Sequence, residues 1–82
     1  MPYVKKDRRA DLDISVRSLG NTLKVDGDLN YILFAYAKRH IEPGYQNYRN
    51  FLGELNEAVA EIRRRLLVPY ENEKISENGD IE

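Results

Sequence analysis

Residues 47–69 read NYRNFLGELNEAVAEIRRRLLVP, and this stretch decides the fold. Tyr48, Phe51, Leu52, Leu55, Val59, Ile62 and Leu66 recur at steps of three and four, with Ala58 on the same side, which draws one apolar stripe along a helix. Pro69 lacks a backbone donor and disfavours helix at Val68, so the pattern predicts a helix over about 47–68. Working outward, Pro43-Gly44 is a stop signal before it. A second helix is expected over about 29–41, with Leu29, Ile32, Leu33, Tyr36, Ala37 and His40 as its stripe and Phe34 off it. Val25-Asp26-Gly27-Asp28 is the break in front, with Asp28 suited to be an N-cap. A first helix is expected over about 7–24, where Leu12, Val16, Leu19 and Leu23 share a face and Gly20 is a weak point. No hairpin or repeat is signalled. The fold class is all-α, a three-helix bundle over residues 1–70, with an extended or partly ordered acidic tail over 71–82.

Eighty-two residues make one small domain with a thin core. A hydrophobic fraction of 41% beside 33% charged residues, and a mean hydropathy of -0.67, leave no membrane span. The absence of cysteine excludes disulfides, thiol catalysis and cysteine-ligated metal sites. Residues 1–70 hold 12 Lys/Arg against 9 Asp/Glu, whereas 71–82 hold one Lys against 5 acids. A basic body thus carries an acidic tail able to screen it. Lys5 and Lys6 have no apolar run behind them, so no signal peptide is read there, and the cytoplasm is the expected location.

Three stretches match a known pattern. These are Met1-Pro2-Tyr3-Val4-Lys5 at the start, Gly27-Asp28-Leu29-Asn30-Tyr31 at the centre, and Arg64-Arg65, Pro69-Tyr70-Glu71, Lys74 and Glu77-Asn78-Gly79-Asp80 at the end. Together they resemble a small family of unknown function found in short proteins of bacteria, archaea and their phages. Arg63 stands where an aromatic is usual there, and Asn56 where a glutamate is expected. The resemblance implies a helical domain in a prokaryotic or viral setting and brings no activity with it. It also implies that the ordered tail motif of Tyr70, Glu71, Lys74, Asn78, Gly79 and Asp80 docks, either on a partner or on the chain's own Gly27, Asp28, Asn30 and Tyr31.

Each cluster of polar residues has a functional and a plain reading. Arg63, Arg64 and Arg65 suit phosphate, and with Lys5, Lys6, Arg8 and Arg9 they would form a nucleic-acid or phosphate contact. The plain reading is a solvated helix end in which Glu61 pairs with Arg64 and Arg65 at i+3 and i+4. Tyr3, Tyr31, Tyr36, Tyr45, Tyr48 and Tyr70 suit either a core rim or an interface. His40 and Glu42 lack the i+3 or i+4 spacing of a helical metal pair. Glu57 and Glu61 would hold Mg²⁺ only with carboxylates such as Asp7, Asp11 or Asp28 from elsewhere. No metal site and no cofactor is expected. The leading expectation is a non-catalytic protein-interaction module that self-associates. A nucleic-acid-binding accessory protein is the alternative, and a carboxylate-dependent nucleotide enzyme on Glu54, Glu57, Glu61 and Asp28 is a distant third.

Overall fold

The computed structural model describes residues 4–81, so Met1, Pro2 and Tyr3 of the opening motif and Glu82 of the tail lie outside the described residues. Among the described residues there are helices and no strands. Helix α1 spans Lys6–Thr22 and α2 spans Asp28–His40. The third helix is built of α3, Tyr45–Ile62, a π-helical turn, Arg63–Leu67, and α4, Val68–Asn78, in one unbroken run of 34 residues. The all-α reading with three helices holds. No helix is long and apolar enough to cross a membrane.

The chain divides into two units, Met1–Glu42 and Pro43–Glu82. In the first, α1 ends at Thr22 and not at Lys24. The Asp28 carboxylate explains this: it accepts the backbone N–H of Lys24 at 2.9 Å and of Val25 at 3.0 Å, two donors a longer α1 would have used. Leu23 N–H closes the helix on the Leu19 carbonyl at 2.8 Å. The chain then turns through Gly27, whose φ of 98° belongs to the left-handed region that favours glycine. Gly27 rather than Asp28 is the N-cap of α2, which corrects the expected capping role. Asp28 instead faces back and ties the turn to the end of α1. Lys38, Arg39 and His40 fill the last turn of α2, where cations favour the helix dipole.

The second unit departs from the pattern at its end. The third helix passes Pro69 and runs to Asn78, where Gly79, at φ 83°, terminates it by donating its N–H to the Ile75 carbonyl at 2.8 Å. The end predicted at residue 68 is therefore displaced, and the extended part of the tail shrinks to residues 79–81. The reason lies one turn before the proline. An α-helical Pro69 would press its ring on the Arg65 carbonyl and leave a donor missing. The turn before it widens instead, and Val68 N–H reaches the Arg63 carbonyl, five residues back. The extra residue in that turn carries the helix past the proline.

Candidate interaction surface

No described residue is fully buried. The second unit is one long helix, and a single helix cannot cover its own stripe. Leu52 is 55% exposed, Ile62 56% and Leu66 67%, while Phe51 and Leu55 are half-buried. Whatever completes the burial of this stripe lies outside the helix that bears it. The widened π turn ends in Leu66 and Leu67, and Tyr70 follows Leu66 four residues on. An open hollow of about 310 Å³ lies along the stripe, lined by Glu61, Ile62, Arg65 and Leu66.

The polar flanks are held by neighbours one turn away. Glu61 accepts from Arg64 at 2.7 Å and pairs with Arg65 at 3.7 Å. Two of the arginines proposed for phosphate are therefore already in ion pairs, of a kind worth at most about 1 kcal/mol each at a surface. Lys74 sits 5.5 Å from the Tyr70 ring and 3.1 Å from Glu77, while Arg49 stands 5.5 Å from the Tyr45 ring. Tyr45 and Arg49 lie on α3, whereas Tyr70, Lys74 and Glu77 of the tail motif are thus neighbours along α4. Asn78 ends that helix, Gly79 caps it, and Asp80 accepts the following Ile81 N–H.

In the first unit the basic residues Lys5, Lys6, Arg8 and Arg9 gather where α1 begins. Arg9 donates to the Val4 carbonyl at 2.9 Å, and Arg8 pairs with Asp11 at 3.4 Å. Gly27, Asp28, Asn30 and Tyr31 form the turn into α2 and its first turn, with Tyr31 64% exposed. The backbone donors from Lys24 and Val25 hold the Asp28 carboxyl below its ordinary pKa. Tyr36 and His40 bring their rings to 5.2 Å on α2 beside an open hollow of about 210 Å³. Among the described residues no group of three or more His, Asp or Glu side chains gathers as metal ligands do. The Asp28 carboxylate is engaged with backbone donors, and Glu61 with two arginines.

Sequence reasoning missed the continuation of the helix beyond Pro69 to Asn78. The i, i+4 pairing of Tyr70 with Lys74 was the available signal, since such pairs meet only on a helix. No curated protein and no solved structure matches the chain. A family model described as a domain of unknown function (DUF6899) matches residues 1–81, and the chain belongs to that family.

Proposed function

We propose that this member of the DUF6899 family is a non-catalytic protein-interaction module that self-associates through the apolar stripe of its third helix. The carrying observation is the continuous 34-residue helix, whose stripe from Tyr48 to Leu66 finds no complete cover in the unit that bears it. Burying apolar area is worth about 25 cal/mol per Å², and a second copy offers the same stripe at no further cost in sequence. Small domains with thin cores gain stability this way.

Light scattering over a concentration series tests the reading. The mass should rise from the chain's 9.6 kDa toward twice that value and stay there in about 1 M salt, since apolar burial is not screened. A mass of 9.6 kDa at every concentration would contradict it. The alternative, nucleic-acid contact through Lys5, Lys6, Arg8, Arg9, Arg63, Arg64 and Arg65, requires phosphate to compete with Asp11 and Glu61 for Arg8, Arg64 and Arg65. Its signature would be affinity for nucleic acid that falls steeply with salt.

A further inference from the structure

We infer that Asn78-Gly79 is a spontaneous modification site, at which Asn78 loses its side-chain amide and the last turn of α4 controls the rate. The chain holds seven asparagines. Six of them stand inside helices and precede a residue with a side chain, whereas Asn78 is the last residue of α4 and precedes glycine. Both residues are exposed, and nothing lies within 4 Å of where a Cβ on Gly79 would stand. The Gly79 nitrogen is therefore the one backbone amide following an asparagine that no side chain of its own residue screens.

The reaction needs only these two residues and water. A solvent base takes the Gly79 N–H proton, and the nitrogen attacks Cγ of the Asn78 side chain. The N–Cγ bond forms, the Cγ–Nδ2 bond breaks, and ammonia leaves with a proton returned by solvent. Water then opens the five-membered imide. Opening at Cγ leaves aspartate; opening at the backbone carbonyl leaves isoaspartate, whose chain runs through Cβ. Nothing is oxidised or reduced.

The fold restrains the first step. Gly79 donates its N–H to the Ile75 carbonyl at 2.8 Å, so the proton to be lost is held. Closing the ring also takes the Asn78 backbone out of helical geometry. Both restraints vanish together when the final turn of α4 opens, and helix ends are where opening costs least. The product then resists closing. A carboxylate at residue 78 meets the negative end of the helix dipole, and the added backbone carbon of isoaspartate shifts the Gly79 N–H away from Ile75. The modification is thus a one-way release of the helix end, and it adds a negative charge to a tail that already holds five acids.

The test keeps the full chain in warm, mildly alkaline buffer, with and without urea, and samples it over time. Trypsin cleaves after Lys74 and frees residues 75–82, in which Asn78 is the sole asparagine. The mass of that peptide and enzymatic methylation of isoaspartate report the reaction. Conversion should occur at residue 78 before any other asparagine, and about tenfold faster in urea. Ser76→Gly weakens the last turn without touching the reacting atoms, so it should speed the native reaction and leave the rate in urea unchanged. Asn78→Gln, which would have to close a six-membered ring, should abolish the signal. A native chain that keeps Asn78 intact while urea converts it would overturn the site in the folded protein. Equal rates with and without urea, or a native rate that Ser76→Gly leaves unchanged, would overturn the control by α4. A peptide unconverted in both conditions would overturn the whole inference.

Discussion

Asp28 shows how much a single carboxylate organises. Its oxygens accept from Lys24 and Val25, so its folded pKa lies below the ordinary value. For an acid depressed in this way, stability is present above the unfolded pKa and is lost as pH falls through the folded one. The account predicts that thermal stability declines as the pH drops below about 4, the ordinary Asp range, and that Asp28→Asn flattens the decline. A carbon-detected NMR titration checks the premise, and an Asp28 midpoint at or above the ordinary range would contradict it. Gly27 and Gly79 carry the positive φ angles that end one helix boundary and begin another. Substituting either by alanine should cost about 1 kcal/mol in urea unfolding, whereas Gly20→Ala, inside α1 with open space around it, should be neutral or stabilising.

At the scale of elements, the π turn is what allows the third helix to pass Pro69. Pro69→Ala restores a donor and removes the ring, so Arg63–Leu67 should return to α geometry and the helix should gain roughly 1–3 kcal/mol. Amide exchange gives a second check on this element. Glu73 through Asn78 should exchange more slowly than Asp80 and Ile81, because the former donate within α4 and the latter lie beyond its cap. The helices themselves were legible in the sequence because their stripes keep a period of three and four residues, and Gly27 and Pro43-Gly44 punctuate them. The run through Pro69 was not legible. Proline's missing donor is a strong local signal, while the widened turn that accommodates it depends on backbone geometry that no side-chain pattern records. The same holds for Asp28, whose residue type suits an N-cap equally well; only the path of the turn decides that it faces back. The ion pairs of Glu61 with Arg64 and Arg65 could be read from spacing alone, since i+3 and i+4 are neighbours on any helix.

For the whole molecule, the governing fact is that no described residue is fully buried while large apolar side chains line every helix. A chain of this size keeps little stability in reserve, so covering those faces determines whether the helices persist. The proposed self-association through the third helix would make stability depend on concentration, so the thermal midpoint should rise as the protein is concentrated. The most direct measurement is sedimentation equilibrium of the wild-type chain beside Val59→Asp, which places a charge at the centre of the stripe, with circular dichroism recorded on both. The account predicts a wild-type mass of twice 9.6 kDa that salt does not reduce, and a Val59→Asp chain of 9.6 kDa with lower helical signal. A wild-type chain that sediments at 9.6 kDa throughout, or a Val59→Asp chain that associates as strongly as wild type, would contradict it.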